Sequence, residues 1–355
     1  MKVLAFPAFK NRRSNPYNYL LYSAVRGMGI EVREFGIRTI FRERFDIIHI
    51  HWPEHYLNSH HRAKAWVFSF LFLAGLIVAK ARGARIVWTV HNLHPHEVRY
   101  PVTSHFFWRS FLGLIDGYTS FSEAVRKAAL ATHPKLEKLP SAITRHGLYE
   151  GEYPPPNPPA EAAARLLVPQ DRPLILFFGR VKAYKNAVGL IEAFVEMTKG
   201  GRAASLVVAG KIDANYASEV LRAVGEQTDI VVRDEFLEPD VIGDYLSVAT
   251  LCVFPYKEIL NSGSIFLSAT YRTTALVPRS PNFEEYGDLM GPGSLLFFDE
   301  RLNASDLSRA VDMAGAASFA VSDELNWKQI AHNTVKFFEA VASSSAENSK
   351  KELFV

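Results

Sequence analysis

The fold expected of this chain is α/β: two doubly wound parallel sheets, each covered by helices, followed by a C-terminal helix. Three features lead there. At 355 residues the chain exceeds the roughly 250–300 at which a single hydrophobic core stops growing. Short apolar runs alternate with helix-length stretches twice over. Between the two series stands a proline cluster, Glu152–Pro159 (EYPPPNPP), which suits neither helix nor central strand and reads as a stiff linker. The expected organisation is a domain over 1–150, a linker over 151–172, a second domain over 173–325, and a helix and tail over 326–355.

In the first domain the strands are Val3–Phe9, Asp46–His51 and Arg85–Val90, and the helices Tyr17–Met28 and Lys64–Arg82. Ile47-Ile48-His49-Ile50 and Ile86-Val87-Trp88-Thr89-Val90 are continuous rather than alternating, as a sheet buried on both faces requires. The most apolar window, Ala65–Ala79, falls short of the roughly 20 residues of a bilayer span. It reads as a buried crossover helix, with a helix dipping into a membrane interface as the alternative. Phe68, Phe70, Phe72, Phe106, Phe107 and Trp108 are expected in the core rather than as stacking platforms for nucleic acid. The rhythm restarts with strands at Leu174–Phe178, Ser205–Ala209, Ile230–Val232, Leu251–Phe254 and Leu276–Val277. Helices fall at Asn186–Lys199, Ala217–Gln227, Val241–Ser247 and Ser264–Tyr271, and an amphipathic helix at Asp323–Ala342.

Charge divides the chain. Residues 1–150 hold 21 Lys and Arg against 10 Asp and Glu, a net +11; the remainder holds 19 against 27, a net −8. A basic lobe of this kind suits a polyanion or an anionic membrane surface. Eleven of the 12 histidines lie at or before His146, so their role belongs to the first half. One cysteine, Cys252, excludes an internal disulfide and suits a reducing compartment. Met1–Phe6 passes directly into Pro7 and a polar stretch, which reads as a first strand rather than a secretory leader.

Two segments of the second half suit phosphate. Leu174–Phe178 ends in Gly179-Arg180-Val181-Lys182, then Lys185 and Asn186 at a helix start, putting cations where α/β sheets bind ligands. Asn261-Ser262-Gly263-Ser264 places small residues, hydroxyls and free N–H groups before an apolar helix; it is either a self-contained helix cap or an anion site. Two such crevices in one domain point to a nucleoside diphosphate group. Neither a GxGxxG fingerprint nor a GxxxxGK[ST] loop is present. In the first half, His49-Ile50-His51-Trp52-Pro53-Glu54-His55 and Thr89-Val90-His91-Asn92-Leu93-His94-Pro95-His96-Glu97 end two strands, where His and Glu serve as general base or hydrogen-bond donor. Their spacing matches no HExxH or CxxC pattern, and no Asp-x-Asp occurs, so no metal is expected.

These features together resemble the GT-B glycosyltransferases over nearly the whole chain, which implies two Rossmann-like domains facing each other across a cleft. Phe178-Gly179-Arg180 with Lys185 resembles the Arg/Lys pair that grips the donor diphosphate in that family, and Ile143-Thr144-Arg145-His146-Gly147 its His-Gly turn closing the N-terminal domain. Retaining members carry two glutamates around the phosphate turn; here Leu260 and Ser268 stand in those positions, a departure that disfavours retention. Glu258 lies two residues early, and Glu284 or Glu285 is the substitute for the ribose contact. The HxHWPE and TVHNLxPHE strings are similar to bacterial exopolysaccharide β-mannosyltransferases of the xanthan and acetan type.

The resemblance implies a metal-independent, cofactor-free hexosyltransferase, peripheral on the cytoplasmic face of the plasma membrane. It would transfer mannose from GDP-mannose, with inversion, to an undecaprenyl-diphosphate-linked oligosaccharide. Gly179, Arg180, Lys185, Glu258, Asn261, Ser262, Gly263, Ser264 and Glu284 would hold the donor, and His51, Trp52, Asn92 and Glu97 the acceptor. Glu54 is the first candidate for the base; His91 and His94 are the second, with hydrogen-bond donation to sugar or phosphate as their other role. The competing readings are a retaining transferase using a UDP-sugar and a non-catalytic protein that binds nucleic acid or an anionic surface, the former of these two partners disfavoured because the cations form no recognisable nucleic-acid module.

Overall fold

The computed structural model describes residues 1–59, 61–93, 99–257 and 259–344. In chain order its elements are β1 (Lys2–Phe6), α1 (Tyr17–Gly27), β2 (Glu31–Glu34), α2 (Ile37–Arg42), β3 (Ile47–Ile50), α3 (Arg62–Ala81), β4 (Arg85–Thr89), α4 (Pro101–Leu112), β5 (Gly117–Ser120), α5 (Glu123–Thr132) and β6 (Ser141–Ile143). There follow α6 (Pro159–Leu166), β7 (Leu174–Phe178), α7 (Ala187–Lys199), β8 (Ser205–Ala209), α8 (Ala214–Val224), β9 (Ile230–Arg233), α9 (Pro239–Val248), β10 (Leu251–Val253), α10 (Gly263–Thr270), β11 (Ala275–Pro278), α11 (Pro281–Met290), β12 (Leu295–Phe298), α12 (Ala304–Met313) and α13 (Trp327–Ser343). Two compact units result: residues 1–147 with 324–355, and residues 148–323.

Unit 1 is built on a six-stranded sheet in the order β2-β1-β3-β4-β5-β6, with every neighbouring pair parallel. Its central strands β3 and β4 are buried but for Arg85 at the start of β4, which the continuous Ile/Val runs required. The chain leaves β1 toward β2 on one side and β3 on the other, so the open crevice of this sheet lies at the C-terminal ends of β1 and β3. The C-terminal helix α13 packs on α1 and against β4 and β6. It thus completes unit 1 although the sequence places it after unit 2. Gly147 ends the unit with the Trp327 ring so close that a Cβ would stand 2.5 Å from it.

Unit 2 repeats the design in the order β12-β11-β10-β7-β8-β9, again all parallel, with its switch point between β7 and β10. The 151–172 stretch expected as linker contains α6, which packs on α9 and is tied in by Asn157 and Arg165 to the buried Asp244. Proline density stops helix formation only up to Pro158; Pro159 then stands at the first helical turn, where its missing N–H has no partner to lose.

A second correction concerns α3. The helix is 20 residues long, enough to cross a bilayer by length and composition, so length does not separate a core helix from a membrane one. About 39% of its most apolar window is buried within the protein. Phe72 and Phe107 occupy the core as expected, but Phe68, Phe70 and Phe106 are exposed, together with Trp66, Val67, Leu71, Ile77 and Val102.

Candidate functional site

In unit 2 the strand β7 ends at Gly179, whose φ of +102° lies in the region that favours glycine. A Cβ at Gly179 would stand 3.5 Å from both Lys185 Nζ and Ser264 Oγ. The two phosphate-suited strings, some 80 residues apart in sequence, therefore converge at the β7/β10 switch point. Pairing continues past the strand ends, with the Gly179 N–H donating to Ala209 O and the Val181 N–H to Lys211 O. This close approach leaves no room for a side chain at Gly210, where a Cβ would overlap the Gly179 carbonyl.

Lys185 has no carboxylate partner among the described residues, and its Nζ lies 5.6 Å from the centroid of the buried Tyr256 ring. Burial, then the charges of Lys182 and Arg180, push its pKa down to about 8. An ammonium so placed gains from any anion that arrives. Ser262 stands at the N-cap of α10, yet its hydroxyl bonds Tyr256 (3.0 Å) and makes no cap bond, so the helix does not close on itself in the way a self-contained cap would. The N–H groups of Gly263 and Ser264 lie in the first turn of that helix, the end favourable to negative charge.

The other expected donor contacts are arranged differently. Arg180 is 65% exposed and pairs with Asp213 at 2.8 Å, which Lys182 also approaches. Asn261 accepts from the Tyr286 hydroxyl (3.0 Å), which ties the phosphate turn to α11. Glu284 pairs with Arg279 at the surface (2.8 Å). Glu258 lies outside the described residues.

In unit 1, Glu54 is buried just beyond β3 and accepts from Asn92 Nδ2 at 3.4 Å. Burial raises its pKa against the opposing effect of these hydrogen bonds. His51 Nδ1 and His91 Nε2 are 2.9 Å apart, and the Trp52 ring lies tilted by 32° against His91 with centroids 4.2 Å apart. The structure thus gathers Glu54, Asn92, His51, Trp52 and His91 at the ends of β3 and β4. His94 and Glu97 lie outside the described residues. Among the described residues no three His, Cys, Asp or Glu are grouped to hold a metal ion.

Sequence reasoning missed the groups behind this cluster. Tyr22 from α1 reaches both His49 Nδ1 and His51 Nε2 at 2.7 Å, and His49 Nε2 reaches Thr89 Oγ1 at 2.7 Å. The signal was present: His49 and His51 two apart on a strand share one face, and a buried face needs partners for their nitrogens. His146, in the His-Gly turn, lies on the Tyr17 ring with centroids 4.8 Å apart and is fully within the core of unit 1.

No family model matches the chain. It is 27% identical over 327 residues, 90% of this chain and 86% of the relative, to the GDP-mannose:glycolipid 4-β-D-mannosyltransferase of Xanthomonas campestris pv. campestris. Among solved structures, the sucrose-phosphate synthase of Thermosynechococcus elongatus superposes with a TM-score of 0.64 at 14% identity, covering 96% of each chain. HepE of Anabaena, in complex with UDP-glucose, superposes with a TM-score of 0.63 at 12% identity, covering 96% of this chain and 98% of its own. Two parallel units of this strand order, together with the solved structures that superpose on them, give the chain the GT-B fold, and along nine-tenths of its sequence it is similar to a sugar transferase.

Proposed function

We propose that the chain transfers mannose from GDP-mannose, with inversion at the anomeric carbon, to an oligosaccharide carried on undecaprenyl diphosphate. The observation that carries the donor side is the meeting of Lys185 Nζ and Ser264 Oγ around Gly179, a cation and a hydroxyl side by side, with no carboxylate on Lys185 among the described residues. Mannose, GDP and the glycolipid class come from the Xanthomonas relative's name. Roles divide between the units. In unit 1 the Glu54 carboxylate takes the proton of the acceptor hydroxyl, whose oxygen forms the new bond to the anomeric carbon. The bond from that carbon to the diphosphate oxygen breaks, and its electron pair leaves with GDP. In unit 2, Lys185 and the N–H groups of Gly263 and Ser264 stabilise the charge that grows there, with Arg180 released from Asp213 to join them. Leu260 and Ser268 supply no carboxylate at the phosphate turn, which supports inversion; an α-linked donor then gives a β-linked product.

The lipid-linked acceptor calls for a membrane surface, and the exposed apolar residues of α3 and α4 are the contact we assign to it. Neither helix contains Asp or Glu, while Arg62, Lys64 and Arg109 are exposed beside the apolar residues. Anionic headgroups match that composition, whereas a second copy of the same face would bring like charges together. The buried side of α3, with Phe72 against Phe6, Phe35 and Phe107, keeps the helix in unit 1 and lying on the bilayer.

The test of the donor assignment is a thermal-shift panel of GDP, GDP-mannose, UDP, UDP-glucose and UDP-glucuronate on wild type and Lys185→Gln. Stabilisation by GDP and GDP-mannose, lost in Lys185→Gln, is expected. Stabilisation by the uridine ligands instead would favour the UDP-sugar reading. No response to any nucleotide would remove the donor site.

A further inference from the structure

Cations crowd the C-terminal end of β7, where burial and then the charges of Lys182 and Arg180 lower the pKa of Lys185. Among the described residues one carboxylate meets them. Asp213 Oδ1 lies 2.8 Å from Arg180 Nε, and Asp213 Oδ2 lies 3.6 Å from Lys182 Nζ. The main chain fixes this meeting: the Val181 N–H donates to Lys211 O (2.9 Å) and the Asp213 N–H to Val181 O (3.0 Å), so Asp213 stands against the two residues that flank Val181.

Asp213 also holds the N-cap position of α8, with extended backbone, yet its side chain makes no cap bond. Aspartate is among the best N-caps, so the carboxylate forgoes the helix N–H groups for the cations. The ion pair it makes instead is readily displaced. It uses one guanidinium nitrogen rather than the two of a forked pair, and Arg180 is 65% exposed, so water screens it. A diphosphate carries more charge and takes a guanidinium by two nitrogens. Once Arg180 has gone to it, the first turn of α8 offers the Asp213 carboxylate a second set of partners.

We infer that Asp213 is a displaceable counterion of the diphosphate site and sets how tightly that site holds a nucleotide. While the site is empty Asp213 pairs with Arg180 and Lys182; an arriving diphosphate takes both cations from it, and as the product diphosphate leaves Asp213 takes them back. The competition weakens the hold on the product. The inference rests on the reading of this site as the donor site and adds what the donor must displace.

The test is calorimetric titration of GDP and of UDP into wild type, Asp213→Asn, Arg180→Ala, the double variant and Asp234→Asn. Asp234→Asn removes the same charge from the neighbouring loop, where Asp234 pairs with Lys211 (3.2 Å). Without ligand, Asp213→Asn is expected to melt as wild type does, because asparagine caps a helix as well as aspartate. It is expected to bind whichever nucleotide the wild type binds about 2- to 5-fold more tightly, the scale of a solvent-exposed ion pair. Arg180→Ala is expected to weaken binding and to remove most of the gain from Asp213→Asn, and Asp234→Asn to stay near wild type. Unchanged or weaker binding in Asp213→Asn, its full gain in the Arg180→Ala background, or an equal gain in Asp234→Asn overturns the counterion role and leaves the donor site standing. A wild type that binds neither nucleotide removes the donor site, and the counterion role with it.

Discussion

Lowering the pH from 7.5 to 5.0 is expected to strip unit 1 of most of its stability. His49, His51, His91 and His146 are buried and neutral, with pKa values lowered chiefly by burial: to about 3 for His49, to about 4 for His146, and well below the ordinary value for His51 and His91. In the unfolded chain each titrates near 6.5. Between the two values the unfolded state binds more protons than the folded one, so stability rises with pH there and falls as pH drops below the unfolded value. At pH 5.0 the folded pKa values hardly enter, and each histidine costs about 2 kcal/mol relative to pH 7.5, from the proton uptake of a group titrating at 6.5. Four of them cost about 8 kcal/mol, comparable with the 5–15 kcal/mol of a whole domain. Glu54 acts in the opposite sense: its raised pKa means the folded state takes up a proton first, offsetting part of the loss. Urea unfolding followed between pH 7.5 and 5.0, with unit 1 reported by its tryptophans, checks this. A free energy that changes by less than about 2 kcal/mol over that range would show that these histidines are hydrated or already protonated in the folded state, against the burial argument.

Other consequences concern unit 2. Lys185 holds its proton below about pH 8 in the free enzyme, so kcat/KM for the donor is expected to fall above that pH, and Lys185→Arg to flatten the alkaline fall; an unchanged profile in Lys185→Arg would take Lys185 out of diphosphate binding. Gly210→Ala forces a Cβ into the Gly179 backbone at a φ of +144°, and is expected to cost about 2–4 kcal/mol and to abolish the thermal response to GDP; a wild-type melting curve would contradict the close approach. Glu54→Gln is expected to fold and to lose transfer by about 10²-fold or more, while transfer near wild type would assign the base elsewhere.

What the sequence disclosed follows from where its physics is local. The strands β3, β4, β7 and β8 are continuous apolar runs and were placed within a residue or two, because a sheet covered on both faces leaves no other composition. β2 (EVRE) is an edge strand with little apolar content, and β5 (GYTS) is buried yet polar, its threonine and serine satisfied by neighbours. Neither pattern announces a strand. The proposed donor site is legible as two separate strings; that Lys185 and Ser264 share one side of Gly179 needs the switch point between β7 and β10. Arg180 reads with Lys185 as a diphosphate contact, but Asp213, 33 residues on, takes its guanidinium in the structure. Exposure of Phe70 and Phe106 was unreadable for a related reason: hydrophobicity gives a helix its apolar content, not the fraction of its surface that neighbours cover.

The proposal of Glu54 rather than His91 as the base rests on one physical cause acting with opposite sign. Desolvation disfavours the charged form of any group, so it lowers a histidine and raises a carboxyl. At the ends of β3 and β4 it takes His51 and His91 well below the ordinary histidine range, where an imidazole accepts a proton poorly, and carries Glu54 upward. A general base works best with a pKa near the working pH. For the reaction proposed above, burial thus favours the neighbouring carboxylate over the residue type that usually serves as base, and the Asn92 contact opposes the rise in its pKa.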